Sequence, residues 1–444
     1  MGIVGIPLVV LALAAAACTS STSDTTQGAG NGPVHSSTAD NPSSSTPGGV
    51  VPPPTDSSTA TAPPPKPLRV FASPKGTANV NPTDPVTVSV KHGKLKSVQL
   101  TNAEGKLVSS EMSSDQTSWQ NTEVLGYDKS YTLVAKATQT HTGDLKPQTR
   151  TVTKRFNTVV PPNMTMPYFQ RPGGYSLNNG ETYGVGIVPI VHWDESISDK
   201  AAAQKTVTVT TSPHVNGSFY WDPSDSTNKN LYWRPQHFWK PGTKVTIEVH
   251  DYGKQVSPGL WGQADAKISF TIGRKQITVA DDNAPKVDKV RVYRDGKLVR
   301  TMNTSMGKHT GIRVNGNWIN FYTLEGTYTV IAHENPAIMS SASYGLPANA
   351  EGGYAPEKIY WATKISVDGI YLHELTTTVW YQDNGYDVSH GCLNLNTANA
   401  TWYYNHSMIG DPVVVRHTGG PTIQVWQGGQ WTVPWKQWVA GSAA

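Results

Sequence analysis

Short runs of alternating apolar and polar residues, broken by turn clusters, constrain this chain more than any other feature. From Leu68 to about Asn157 they recur as Val86-Thr87-Val88-Ser89-Val90, Ser97-Val98-Gln99-Leu100 and Tyr131-Thr132-Leu133-Val134-Ala135. Between them lie Asn81-Pro82-Thr83-Asp84 and Ala103-Glu104-Gly105-Lys106. A period of two puts successive side chains on opposite faces, so these runs predict half-buried strands rather than helices. At this spacing the pattern predicts a small antiparallel sandwich of immunoglobulin type, although no Cys…Trp…Cys pattern is present.

Composition agrees and excludes alternatives. Gly 40, Pro 32, Trp 14 and Tyr 19, with only 15% charged residues, do not suit helical bundles, coiled coils or multi-pass membrane proteins. A length of 444 residues suggests roughly three domains at about 150 residues each. Two cysteines cannot staple three domains, and a formal charge of +4 is no nucleic-acid footprint.

The N-terminal part reads as an export and tethering device. An apolar run from Gly2 to Ala17 fits a signal-peptide core and is short for a membrane span. It ends at Ala15-Ala16-Ala17-Cys18, which resembles a bacterial lipobox with Ala15 in place of the usual Leu. Cys18 is therefore the expected lipidation site. Residues 19–65 hold ten Ser, nine Thr, nine Pro and five Gly, with no Leu, Ile, Phe, Trp or Tyr. Such a stretch buries too little apolar surface to offset its ordering entropy, so a disordered stalk is expected over 19–66. The expected location is the outer face of the cytoplasmic membrane, in the cell envelope.

After the first sandwich, 67–158, a Pro-rich boundary at Val159-Val160-Pro161-Pro162 opens a second region, 159–274. Its strand candidates are Ile187 to Trp193, Thr206 to Thr211, Gly217 to Trp221, Val245 to His250 and Ile268 to Ile272. Trp193, Trp221, Trp233, Trp239 and Trp261 are dense here, and packing is favoured over a glycan-binding face. The third region, 275–418, opens with a hairpin, Val287–Tyr293 and Leu298–Met302, turning at Asp295-Gly296. Further strands are expected at Gly326 to Ala332 and Gly369 to His373. One helix is expected from Thr397 to Met408, after Asn396 and before Gly410 and Pro412. A Trp-rich extension, 419–444, follows.

Chemistry concentrates at the second cysteine, Cys392, in Ser389-His390-Gly391-Cys392-Leu393-Asn394. Another histidine, His373, lies nineteen residues upstream. A free thiol has a pKa of about 8.5, so a nearby imidazole raises the thiolate fraction and can later return the proton. From spacing alone, a catalytic Cys/His pair and a buried structural cysteine both remain open. The chain lacks CxxC and HExxH, and its other histidines are scattered, so neither a zinc site nor any cofactor is expected.

The string Ser-His-Gly-Cys-Leu-Asn, with a histidine nineteen residues before its cysteine, resembles the signature of the L,D-transpeptidases. Met339 and Tyr344 match that family's substrate-lining segment. Tyr354 in Gly352-Gly353-Tyr354 matches its lid tyrosine, and Trp361-Ala362-Thr363 the stretch before the base. The tail Trp431 to Trp438 is similar to that of the actinobacterial branch, which carries two immunoglobulin-like domains before its catalytic domain. The resemblance implies a mainly β protein: two immunoglobulin-like sandwiches, then a β-rich catalytic domain with few short helices.

It also implies a peptidoglycan cross-linking mechanism. Cys392, activated by His373, would form a thioester on a stem tetrapeptide with loss of its terminal D-Ala. The acyl group would pass to the side-chain amine of a diamino acid on a neighbouring stem. Backbone N–H groups around His390, Gly391 and Cys392, with the Tyr354 hydroxyl, would hold the oxyanion. Such donors are worth about 3 kcal/mol each. His390 would shape that turn, while Asn394 and Ser389 would hold substrate or loop. The implied partners are donor and acceptor tetrapeptides and carbapenem-type β-lactams, on a monomeric enzyme. Alternatives are an L,D-carboxypeptidase or protein-to-peptidoglycan ligase with the same acyl-enzyme, and an inactive wall-binding lipoprotein. Glu374 stands where similar relatives have Ser. Thr377 stands where they have Trp, with Trp380 three residues further on. The loop from Glu374 to Val388 is one residue longer than theirs.

Overall fold

The structure is a computed structural model that describes residues 66–139, 147–283 and 286–443. The expected signal segment, lipidated Cys18 and nearly all of the stalk lie outside the described residues. No helix among the described residues is long and apolar enough to cross a membrane.

The alternating runs form strands as their period predicts. Arg69–Ala72, Thr87–Lys91, Ser118–Asn121 and Ser110–Met112 make one antiparallel sheet. Lys94–Asn102, Ser130–Gln139 and Gln148–Asn157 make a second. Inward residues such as Val88, Leu100, Leu133 and Ala135 meet between them.

Next come a five-stranded sheet around Ile190–Trp193 and a four-stranded sheet around Lys244–Val249, sharing a larger core. Trp193, Trp221, Trp233 and Trp239 are buried there, so packing explains the tryptophan density. The predicted strand from Ile187 begins only at Ile190. The Ile187 and Val188 side chains are nevertheless buried.

The predicted hairpin spans Asp288–Arg294 and Lys297–Thr304, with Arg294 opposite Lys297. Asp295 (φ 50°) and Gly296 (φ 80°) both adopt the left-handed conformation that a two-residue hairpin turn needs. These strands continue into a sheet with Gln276–Asp281, Pro412–Arg416 and Gly326–Thr329. The expected helix spans Thr397–His406, two residues shorter than predicted, and the Asn396 side chain caps it by accepting from the Asn399 N–H at 2.9 Å.

It is not the only helix. Lys200–Gln204, Val379–Asn384 and Trp435–Ala440 are short helices without long amphipathic periods, so their sequences carry little helical signal. The last belongs to the Trp-rich tail, which folds back onto the second sandwich. Trp438 is fully buried and stacks on Tyr220 at 4.5 Å, while Trp431, Trp435 and Trp438 surround the buried Arg234 guanidinium.

Candidate active site

A second catalytic-region sheet runs in the order Ala332–Glu334, Ala362–Lys364, Tyr371–Glu374, Leu393–Leu395. Its last two strands are parallel, with Leu372 opposite Leu393 and His373 opposite Asn394. Parallel neighbours need a crossover of a dozen or more residues, and here the helix Val379–Asn384 lies within it. That accounts for the nineteen-residue spacing between His373 and Cys392. Alternation then sorts the side chains. Leu372, Leu393 and Leu395 enter the core, while Tyr371, His373, Cys392 and Asn394 line one cavity of about 850 Å³.

The turn before Leu393 is fixed by its own side chains. Ser389 Oγ donates to the Cys392 carbonyl at 2.6 Å and accepts from the Gly391 N–H at 3.0 Å. Gly391 has φ +127°, a conformation that disfavours side chains, and Thr323 Oγ1 donates to its carbonyl at 2.9 Å. Its amide is thus committed to Ser389, which makes Gly391 a turn-forming residue rather than a free oxyanion donor.

Among the described residues Cys392 is the only cysteine, and it is free. Its Sγ donates to the Gly369 carbonyl at 3.6 Å. Burial pushes the thiol up to about 11, offset only in part by the Tyr371 backbone N–H, which favours the thiolate. Burial also lowers the pKa of His373. Both shifts favour the neutral forms, thiol and imidazole. His373 Nδ1 lies 2.8 Å from the Glu374 carbonyl, so Nδ1 carries the proton and Nε2 is left as the base. The Glu374 side chain is engaged elsewhere, by Thr397 Oγ1.

A strand pair and loop of non-local origin, the segment expected to form the lid, line the cavity. Ala337–Met339 pairs with Glu357–Ile359, and Met339, Tyr344 and Tyr354 line the cavity. The Tyr344 and Tyr354 rings lie 6.1 and 5.7 Å from the His390 ring. Ser341 holds the lid loop, donating to the Tyr354 carbonyl at 3.0 Å and accepting its N–H at 2.9 Å. Every other expected site residue of this region lines the cavity; Gly391 lies in the turn beneath it.

Sequence reasoning missed three contributors. Trp318 reaches the cavity from the tip of the hairpin Gly311–Asn320, Asp368 precedes the sulfur-binding Gly369 carbonyl, and Gln427 of the tail donates to Asp368 at 2.6 Å. No local motif marks them, because each is placed by chain folding. Asn394 Nδ2 is buried, has no partner among the described residues and belongs to a cavity-lining side chain, which suits it to a substrate carbonyl.

L,D-transpeptidase 2 of Mycobacterium tuberculosis (strain CDC 1551 / Oshkosh) is 39% identical over 369 residues, covering 83% of this chain and 83% of that protein. The chain belongs to the L,D-transpeptidase family. Residues 279–415 match the L,D-transpeptidase catalytic domain, and residues 77–255 match a bacterial Ig domain. L,D-transpeptidase 5 of Mycobacterium tuberculosis (strain ATCC 25618 / H37Rv) is 33% identical over 385 residues, covering 85% of this chain and 77% of that protein. A solved L,D-transpeptidase in complex with imipenem overlays at a TM-score of 0.45 and 26% identity, over 56% of this chain and 99% of that one. Transpeptidation is an acyl transfer, and peptidoglycan cross-linking is the known function of this family.

Proposed function

We propose that this L,D-transpeptidase cross-links peptidoglycan through a Cys392 thioester. His373 Nε2 takes the thiol proton as Sγ attacks the carbonyl before the terminal D-Ala of a stem tetrapeptide. The amides around His390 and Cys392, with the Tyr354 hydroxyl, stabilise the oxyanion. The C–N bond breaks, the imidazolium returns its proton to the leaving amine, and D-Ala departs. The side-chain amine of a diamino acid on a neighbouring stem then attacks the thioester, releasing Cys392 and forming the cross-link.

The observation that carries this reading is the parallel pairing of the His373 and Asn394 strands. It supports the reading by bringing His373, Cys392 and the unpartnered Asn394 amide to one cavity. Burial that favours the neutral forms of a thiol and an imidazole lining one cavity suits groups that charge only when substrate arrives.

Incubation of residues 66–444 with disaccharide-tetrapeptide, followed by mass analysis, tests the proposal. The expected product is a dimer that has lost one D-Ala, absent with Cys392→Ala. Tripeptide alone would indicate hydrolysis, and dimer from Cys392→Ala would sink the mechanism. Imipenem, the ligand of the solved relative, should add covalently to Cys392.

The remaining expectations form part of the proposal: a monomeric enzyme, exported and anchored by lipid on Cys18. Release of Cys18→Ser protein from the membrane fraction tests the anchor.

A further inference from the structure

Just before the Ser389–Cys392 turn, two carboxylates from distant stretches of the chain, Asp282 and Asp387, meet one imidazole, and a third, Asp288, faces Asp387. Asp282 follows the strand Gln276–Asp281, Asp288 opens the next strand, and Asp387 stands two residues before Ser389. His309 Nε2 lies 2.7 Å from Asp282 Oδ2 and 3.4 Å from Asp387 Oδ2. Single donor atoms from Asp282, His309 and Asp387 lie within 4.8 Å of one another.

Burial makes this arrangement unusual. The Asp282 and Asp387 side chains are 3% and 5% exposed, and Asp288 is fully buried. Among the described residues neither Asp288 nor Asp387 meets a Lys or Arg. Asp288 Oδ2 and Asp387 Oδ2 are buried, and the Asp288 and Asp387 carboxyls face each other. The adjacent Asp281 differs in kind, since Arg416, His417 and Arg291 neutralise it. Among the described residues His309 is the one basic side chain that reaches Asp387, and a buried charge left short of compensation costs several kcal/mol.

We propose that Asp282, His309 and Asp387, supported by Asp288, bind a divalent transition-metal ion of the zinc class. An imidazole with carboxylates selects such an ion over Ca²⁺ or Mg²⁺, which take oxygen ligands. A tetrahedral ion about 2.1 Å from each ligand sets the ligand atoms about 3.4 Å apart; His309 Nε2 lies 3.4 Å from Asp387 Oδ2 and would move out from its 2.7 Å contact with Asp282 Oδ2. The His309 ring is already held in plane, stacked on Tyr322 at 5.5 Å and 6°.

Such an ion would be structural, with no part in the acyl transfer. It would tie the segment before the nucleophile to 305–309, which the chain already laces together. Met306 N–H donates to Asp387 Oδ1, Ser389 N–H to the Met306 carbonyl at 3.0 Å, and Lys308 N–H to the Ser389 carbonyl at 3.0 Å.

The test uses tag-free, chelator-stripped Cys392→Ala protein, so that the nucleophile cannot bind the metal. Calorimetric titration with Zn²⁺ should show one saturable site and a raised thermal midpoint, and Co²⁺ should give the strong visible bands of a four-coordinate ion. Asp387→Asn and His309→Gln, each added to that background and retaining its near-UV dichroism, should weaken Zn²⁺ binding at least tenfold. Absence of saturable binding, binding unchanged by both substitutions, or equal displacement by Ca²⁺ would overturn the proposal.

Discussion

His373 Nδ1 donates to the backbone carbonyl of Glu374 at 2.8 Å, and this single bond leaves Nε2 as the ring nitrogen without a proton. A backbone carbonyl can serve there whatever side chain follows the histidine. Glu374→Ala is therefore expected to change the rate of β-lactam acylation by less than about threefold, since the carboxylate acts on His373 only through space while its hydrogen bond goes to Thr397. Stopped-flow acylation of the two proteins checks this; a loss beyond tenfold would assign the carboxylate a part in holding the imidazolium.

Burial drives Cys392 and His373 towards their neutral forms in opposite directions of pKa, the thiol up to about 11 and the imidazole down. The thiolate fraction then rises with pH throughout the accessible range. Iodoacetamide labelling of Cys392 is expected to accelerate by about tenfold per pH unit between pH 7 and 9.5. A plateau with a midpoint below pH 8 would instead reveal a resting thiolate–imidazolium pair.

Turnover depends on the neutral imidazole. Because the pKa of His373 is lowered, activity should persist as pH falls to 6.5 and decline only below it. The acid limb of the kcat/KM profile measures that midpoint, and a midpoint above 6.5 contradicts the desolvated environment.

Ser389 holds both ends of the nucleophile turn. Ser389→Ala leaves the Gly391 N–H and the Cys392 carbonyl without this partner, at about 1–3 kcal/mol for an unsatisfied buried group. The acylation rate should fall ten- to a hundredfold while far-UV dichroism is unchanged. An unaffected rate would show that the turn is held by Thr323 and the adjoining strand.

Trp438 closes the tail over the second sandwich, stacked on Tyr220 and 4.3 Å from the Arg234 guanidinium, with its Nε1 donating to the Ser218 carbonyl at 2.9 Å. Trp438→Ala opens a cavity beside a buried cation and is expected to destabilise by about 3–5 kcal/mol. Urea denaturation followed by tryptophan fluorescence should show an earlier first transition.

The sequence by itself determined whatever neighbours along the chain decide. Alternation at Thr87–Lys91 and Ser130–Gln139 set the strands, Asp295-Gly296 set a turn, Asn396 set a helix start, and Ser389–Asn394 marked the nucleophile. Even the nineteen-residue gap to His373 was a local imprint of a parallel crossover. Helices as short as Val379–Asn384 left too few turns for a period to show.

Only the tertiary structure decided the rest, because desolvation and charge compensation depend on neighbours far apart in sequence. It chose the His373 tautomer, raised the Cys392 thiol and reassigned the Gly391 amide to the turn. It also carried Gln427 to the cavity. The histidines that look scattered in sequence include His309, which folding sets against Asp282 and Asp387. A charge cluster assembled from three distant segments has no spacing to read; it exists only once burial has removed the water that would otherwise solvate each group alone.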